Sequence, residues 1–224
     1  MAAAPKKNEQ ALEIAPIDVR LLDVFIVGDE PLICHAWSEK AKREMLDKQT
    51  KKAKGAREAK DPEQDFRDSL YPLGDGEYGF PSVAFKNAAV TAVTAVADLT
   101  KVAARQAFQI VGRNVLVPGA WKGVLVRQNL VRIEGSEPAM REDMVRVGMG
   151  TADLRYRAEF FPWRAWLTVR YDAGLLSAEQ VLSLVNRSGF SVGVGEWRPE
   201  KDGPYGTFHV AGEAEIAEFA GGRP

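Results

Sequence analysis

The sequence predicts an α+β fold: a ferredoxin-like antiparallel sheet with two helices on one face and two insertions. Three observations lead to this prediction. β-Branched, alternating segments at 17–28 and 164–173 are typical of strands. The segments 82–108 and 176–189 carry helical patterns with capping residues. Without the insertions, the order is strand, helix, strand, one or more strands, helix, strand. This is the βαββαβ order, in which both helices cover one face of the sheet and leave the other free.

The bulk composition is that of one globular domain. Apolar residues make up 46% and charged residues 27% of the 224 residues, which are ordinary values. The single cysteine, Cys34, permits no internal disulfide, and no charged-then-apolar leader opens the sequence, so we expect a cytoplasmic protein. The run 83–96 is too short and too polar to span a bilayer, so no membrane partner is expected. We divide the chain into a flexible arm (1–16), a single domain (17–212) with insertions at about 36–80 and 136–158, and an acidic tail (213–224).

The first strand and the first helix of the core are expected in the N-terminal half. Residues 17–28 are β-branched and apolar and predict the strand. Residues 61–81 contain the turn-forming residues of a loop. The alanine-rich run 82–108 is the strongest helix pattern, with Ser82 as a possible cap and valines near helical spacing.

A hairpin is expected after this helix. Two β-rich runs, 109–119 and 122–135, lie on either side of Pro118-Gly119. The residues that follow, 136–163, mix glycine, arginine and aspartate. The alternating segment 164–173 then predicts another strand.

The C-terminal part predicts the second helix and the last strand. Ser177 can cap a helix over 176–189, and Gly189 is expected to end it. A glycine-rich stretch comes next, and "TFHVAG" (207–212) predicts the strand.

Positive charge is concentrated in two segments, although the net charge is only −1. Residues 38–60 contain nine Lys or Arg against four acidic residues, with Ser38 as N-cap and few apolar positions. This pattern fits a solvated helix, or a segment that becomes ordered on a polyanion. Residues 140–170 have a weaker excess, six arginines against four acids. A polyanion would therefore have to bind locally.

No motif in the sequence indicates catalysis. His35 and His209 lie far apart, so each is expected to be a structural or surface residue. With one cysteine and no paired His/Cys spacing, neither a zinc site nor any other cofactor is predicted. The phosphate-loop pattern GxxxxGK[ST] and the GxSxG pattern are absent. The acidic pair within "REDMVR" (141–146) is expected to form local ion pairs.

The stretch "GVGEWRPEKDGPYGTFHV" (193–210) is either a set of tight turns or a binding loop. Its Gly-x-Gly follows a helix instead of opening one, which argues against a dinucleotide site. Backbone N–H groups in glycine turns can hold phosphate, arginines can clamp it, and aromatic rings can stack on unpaired bases. The composition is compatible with both interpretations.

Together, these segments resemble the RAMP superfamily, the ferredoxin-like proteins of CRISPR effector complexes, and most of all their repeated backbone subunit. Members carry a glycine-rich loop after the second helix, which 193–210 resembles. They open the first helix with a small-residue turn and a lysine, Gly-Ser-Ser-x-Lys-Gly. "GFPSVAFKNAAV" is similar, although phenylalanine and proline replace the small pair. The basic segment 38–60 resembles the family's thumb, and the whole arrangement looks more like phage-encoded relatives.

The resemblance implies a protein of the bacterial host cell that binds single-stranded RNA or DNA and repeats head to tail as a filament. Other effector or phage proteins are possible partners. Binding would depend little on base sequence and strongly on salt. The residues expected to contact nucleic acid are Lys40, Lys42, Arg43, Lys51, Lys52, Lys54, Ser82, Lys86, Arg141, Arg146, Arg155, Arg157, Trp197, Arg198, Lys201 and Tyr205.

Two other functions remain open at this point. One is a phage structural or assembly protein that makes only protein contacts. The other is a ribonuclease of the RAMP type, for which the sequence nominates no catalytic residue. We expect the non-catalytic nucleic-acid-binding role.

Overall fold

An antiparallel sheet of eight strands is the centre of this α+β fold. The structure, a computed structural model, describes residues 16–50, 59–95, 99–147 and 151–219. The described residues form the strands β1 Val19–Gly28, β2 Leu32–Ile33, β3 Pro72–Gly74, β4 Glu77–Pro81, β5 Phe108–Val111, β6 Arg113–Pro118, β7 Leu125–Gly135, β8 Ala139–Val147, β9 Thr151–Phe160, β10 Trp163–Asp172 and β11 Phe208–Val210. Their helices are α1 Glu39–Gln49, α2 Pro62–Asp68, α3 Ser82–Ala92, α4 Lys101–Ala107, α5 Ala178–Ser191 and α6 Glu213–Phe219.

The main sheet has the strand order β11-β1-β10-β7-β4-β3, with β5 also paired to β10 and β6 to β7. The long pairing of β1 with β10 runs from Val19↔Asp172 to Val27↔Arg164. The predicted strands at 17–28 and 164–173 are confirmed, as is the hairpin around Pro118-Gly119, which β6 and β7 form.

One face of the sheet is buried and the other is largely open. Alternate residues of β10 are buried, and the residues between them are half-buried or exposed, as the period of two in a strand requires. The buried side chains are Trp163, Ala165, Leu167, Val169 and Tyr171.

Helices α3 and α5 pack against each other, and their buried side chains belong to the same apolar core as the buried face of the sheet. Ser177 caps α5 in a capping box with Gln180, as the sequence predicts. Gly189 does not end this helix, which continues to Ser191. A Cβ at Gly189 would lie 1.8 Å from the backbone oxygen of Phe208, so the glycine lets β11 approach the helix closely.

The predicted helix 82–108 is wrong as a single element. It divides into α3, a 3₁₀ turn at Val93–Ala95, and α4, which begins at its own N-cap, Thr100. Thr100 Oγ1 accepts a hydrogen bond from the backbone N–H of Ala103 at 3.1 Å. Ser82 is not the N-cap of α3. Pro81 holds that position, and Ser82 Oγ hydrogen-bonds Asn129 Oδ1 at 2.6 Å.

A second sheet, with the order β2-β9-β8, lies beside the main one. Helix α2 packs on β9, and Ser69 Oγ accepts a hydrogen bond from the N–H of Ala158 at 2.8 Å. Cys34 follows β2, is fully buried, and donates its backbone N–H to the Ala158 oxygen at 2.8 Å. The segment 61–81, expected as a loop, therefore contains α2, β3 and β4, and the segment 136–163, for which no element is predicted, contains β8 and β9.

Helix α1 begins after Ser38, whose Oγ accepts the N–H of Ala41 at 3.0 Å, as predicted. It buries no residue, in agreement with its few apolar positions. The acidic segment after the last strand is not wholly irregular, because Glu213–Phe219 forms α6. Within the described ranges, no helix is both long and apolar enough to cross a membrane.

Candidate functional site

The glycine-rich stretch after α5 is a tightly bonded loop that leads into β11. Three of its backbone amides reach across the loop or to the segment before it. Val194 N–H bonds Gly206 O, Gly206 N–H bonds Pro31 O, and Glu196 N–H bonds Ile33 O, at 2.9 to 3.1 Å. A Cβ at Gly206 would lie 1.7 Å from Val194 O, so only glycine allows this crossing. The loop is therefore a scaffold whose amides largely bond to the protein itself.

This loop forms one wall of an open cleft of about 580 Å³. Helix α3 lines it through Asn87 and Thr91, and α4 contributes Lys101 from its first turn and Arg105 from its last. His35 lies at the edge, just after β2. The structure thus brings together the glycine-rich loop and the helix that the sequence analysis connected through the family resemblance.

Two cations of the cleft, Lys101 and Arg105, lie one turn apart on α4. Neither forms an ion pair with any residue in the described part of the chain. The two carboxylates of the cleft are engaged with arginines, Glu196 with Arg157 and Glu200 with Arg198, so the charge left available is positive. Neither cation is among the residues predicted to contact nucleic acid, because the predicted helix 82–108 contains both in its last turns.

Arg198 lines the cleft, but its side chain also forms hydrogen bonds within the glycine-rich loop. Its Nε and Nη2 contact Glu200 Oε2 at 3.1 and 2.7 Å, and its Nη1 donates to Gly195 O at 3.0 Å. A ligand phosphate would have to replace these bonds. Lys201 is exposed in the neighbouring 3₁₀ turn, Pro199–Lys201.

Lys86 does not line the cleft. Its Nζ donates to the backbone oxygen of Arg105 at 3.0 Å and to Gln109 Oε1 at 2.9 Å. Burial lowers the pKa of Lys86 below its ordinary value. This lysine fastens α3 to α4 and β5, and in doing so it helps to place Lys101 and Arg105 beside the loop.

The two aromatic residues of the predicted site stack on each other. The rings of Trp197 and Tyr205 are 6.3 Å apart with an interplanar angle of 23°. Arg141 lies on the Tyr205 ring, with its Cζ 4.5 Å from the centroid, and donates Nη2–H to the Tyr205 hydroxyl at 2.9 Å. These groups connect the β8–β9 hairpin to the glycine-rich loop.

Arg141 belongs to a network of charged side chains that extends to the glycine-rich loop. Arg141 also bonds Asp143 Oδ1 at 2.8 Å and Glu159 Oε2 at 2.6 Å. Arg157, with only 3% of its side chain exposed, lies 3.7 Å from Asp143 Oδ2 and 3.9 Å from Glu196 Oε2. Burial lowers the pKa of Arg157. The expected local ion pairs of 141–146 are therefore present for Arg141 and Asp143.

Glu196 is the member of this network that lines the cleft. His35 Nδ1 lies 3.0 Å from Glu196 Oε1, and this hydrogen bond, together with the charge of Arg157, lowers the pKa of Glu196. The carboxylate is therefore ionised at neutral pH and is engaged on both sides. It positions the loop and is not available to a ligand cation.

The remaining predicted contacts lie elsewhere on the surface. On α1, Lys42 Nζ donates to Pro118 O at 3.3 Å, and Arg43 pairs with Glu39 at 3.3 Å. Lys40 and Arg146 are exposed, and Arg155 lies 3.7 Å from Asp153. The predicted contacts Lys51, Lys52 and Lys54 lie outside the described residues.

No model of a known protein family matches the chain, and no curated protein matches it significantly. Among the residues that the structure describes, no group of three or more His, Cys, Asp or Glu side chains could hold a metal ion.

Proposed function

We propose that this protein binds single-stranded RNA or DNA without catalysing a reaction, and that its copies repeat head to tail along the strand. One observation carries the proposal: Lys101 and Arg105, which form no ion pair with any described residue, line the same open cleft as the glycine-rich loop. Such a groove attracts the phosphate backbone without reading its sequence.

A ferredoxin-like core is part of the same proposal. The strands β11, β1, β10 and β5 are neighbours in that order, and α3 and α5 pack together against one face. In chain order these elements run β1, α3, β5, β10, α5, β11, which fits a βαββαβ unit with β3–β4 and β6–β9 as additions. The cleft lies where the loop before the last strand meets the first core helix.

The spacing of the cations suits a nucleic-acid backbone. Residues four apart on a helix are separated by about 6 Å along its axis, close to the separation of successive phosphates in an extended strand. Asn87 and Thr91 on the facing helix offer polar groups to phosphate or ribose oxygens. These contacts do not distinguish one base from another.

Equilibrium binding of a labelled 40-nucleotide single strand, DNA or RNA, tests the proposal. We expect K101Q/R105Q to bind at least about tenfold more weakly, and the slope of log affinity against log salt to fall by about 1.4, because two phosphate contacts are lost. The control K122Q/R187Q removes the same charge from exposed positions outside the cleft, and its affinity should change far less. Absence of binding by the unaltered protein at low salt would contradict the proposal.

A second candidate, a phage assembly protein with only protein contacts, is favoured by the hairpin β6–β7. Large apolar side chains are exposed on it, among them Leu116, Trp121 and Leu125 at 59 to 64%. Exposed apolar groups in such a cluster mark a protein-contact surface. The same binding experiment separates the two functions, because this candidate predicts assembly without affinity for a single strand at any salt concentration.

A further inference from the structure

The open face of the sheet carries an aromatic pair beside a short acidic helix. Phe25 on β1 and Trp166 on β10 are cross-strand neighbours, and their ring centroids are 4.7 Å apart. Phe219, the last residue of α6, lies beside Phe25, and their ring centroids are 6.2 Å apart. With α6 in place, Phe25 keeps only 3% of its surface exposed. These contacts lie on the face opposite α3 and α5.

Cations border the aromatic pair. Arg164 places its Cζ 4.4 Å from the Phe219 ring, and its Nε lies 3.7 Å from Glu134. Arg170, two residues beyond Thr168 on the same face, is exposed and has no ion pair with any described residue. Two aspartates share this face: Asp172, two residues beyond Arg170, and Asp23, which accepts a hydrogen bond from Thr168 at 2.7 Å. Rings with flanking arginines are the groups that stack on unpaired bases and hold their phosphates.

Helix α6 is held at its first turn and at its end. It has seven residues and none is buried, so it is too short to be stable without its contacts. Glu215 fastens its first turn, with Oε1 2.9 Å from His209 Nε2 and Oε2 accepting the Gly212 N–H at 2.9 Å. Phe219 fastens its end. Residues 213–219 contain three glutamates and no basic residue, so the helix brings negative charge to a face edged by arginines.

We propose that α6 is a displaceable cover over a second contact surface for single-stranded nucleic acid, formed by Phe25, Trp166 and the neighbouring arginines. The acidic helix and the nucleic acid compete for this surface, so α6 weakens binding until it is displaced. This inference rests on the proposed function for its ligand class. It assigns that ligand a different face of the molecule from the cleft.

The test releases α6 in the full chain with E215Q/F219A and measures binding of the same labelled 40-nucleotide strand. We expect the affinity to rise by at least about fivefold, the lower end of typical coupling between competing sites. The control E137Q/F190A removes one exposed carboxylate and one exposed phenylalanine from other surfaces and should cause no such gain. An equal gain in the control, or no gain in the released variant, overturns the proposal.

A second pair of variants identifies the surface. Added to E215Q/F219A, W166A and separately R170Q should remove the gain, and circular dichroism checks that each variant is folded. Because Arg170 is exposed, R170Q keeps the test valid even if W166A does not fold. A gain that survives both substitutions overturns the proposed surface.

The two experiments can reject the proposed cleft site and the proposed cover independently of each other. If K101Q/R105Q abolishes binding while E215Q/F219A has no effect, the cleft stands and the cover is rejected. If K101Q/R105Q has no effect while the released variant gains affinity through Trp166 and Arg170, the cover stands and the cleft is rejected.

Discussion

Arg141, one of the residues expected to contact nucleic acid, connects the β8–β9 hairpin to the glycine-rich loop. It bonds Asp143, Glu159 and the Tyr205 hydroxyl, and Asp143 has only 3% of its side chain exposed. Burial opposes the charge of Arg141, but these hydrogen bonds outweigh burial and raise its pKa. The pattern "REDMVR" predicts an ion pair, whereas the partner from the distant glycine-rich loop follows only from the fold.

The first prediction concerns Arg141→Ala. Removing the guanidinium leaves a buried carboxylate with poorer pairing, so we expect the free energy of unfolding to fall by about 3 kcal/mol. Urea denaturation measures the change. Arg146→Ala, on the same strand but exposed, serves as control and should have little effect. A loss below about 1 kcal/mol for Arg141→Ala would show that the network is not stabilising.

The second prediction is a pH dependence of α6. Burial lowers the pKa of His209, but its contacts with Glu215 and Asp29 outweigh this and raise the pKa above the ordinary value. The backbone N–H of Gly212, and then His209, lower the pKa of Glu215. The stabilisation from His209 is complete below about pH 6.5 and is lost as pH rises through the raised pKa. The stabilisation from Glu215 is present above about pH 4.3 and is lost as pH falls through its lowered pKa.

Helix α6 should therefore be held most firmly between about pH 4.5 and 6.5. Hydrogen exchange of its amides, corrected for the intrinsic rate, should show more protection at about pH 5.5 than at about pH 8.5. In His209→Gln this difference should disappear. Equal protection at both pH values in the unaltered protein would contradict the assignment.

At the scale of elements, α5 gives the third prediction, Gly189→Ala. Helix propensity alone favours alanine by about 1 kcal/mol. The new Cβ would lie 1.8 Å from Phe208 O, a backbone atom, so β11 or α5 must shift. We expect a net loss of about 1 to 3 kcal/mol in the free energy of unfolding, as in overpacked cores. Ser183→Ala, at an exposed site of the same helix, should not destabilise the protein. Chemical denaturation distinguishes the two outcomes.

Local patterns predict some of these elements and not others. The strands β1 and β10 and the capped helix α5 have strong alternation or a capping box, so the sequence alone predicts them. Gly189 is misleading, because a glycine after a helical pattern commonly ends it. Its actual reason is the approach of β11, which is distant in sequence. The sequence does not predict the β8–β9 hairpin for a similar reason. Charged residues such as Arg141 form ion pairs and hydrogen bonds with partners that only the fold brings close.

At the scale of the whole molecule, the cleft is assembled from segments between Ile33 and Glu200. The sequence supplies the glycine-rich loop and the first core helix as candidates, but not the way they meet. On one straight helix, Lys101 would lie about 22 Å beyond Lys86. Instead, α4 is a separate helix that begins after its own N-cap, Thr100, and the hydrogen bond from Lys86 to Arg105 O holds it beside α3. The position of the two cations at the cleft therefore depends on the packing of α4 against α3, which the periodicity of the sequence does not encode.

The position of Cys34 offers a way to separate unfolding of the protein from displacement of α6. It is the one thiol of the chain, it is fully buried next to β9, and burial raises its pKa. A thiolate-specific reagent cannot modify it until the structure around β2 and β9 opens. The rate of labelling thus reports global opening of the native protein. A cysteine introduced on the side of α6 that faces Phe25 would gain reactivity when α6 is displaced, without interference from Cys34, so displacement of the cover could be timed separately from unfolding.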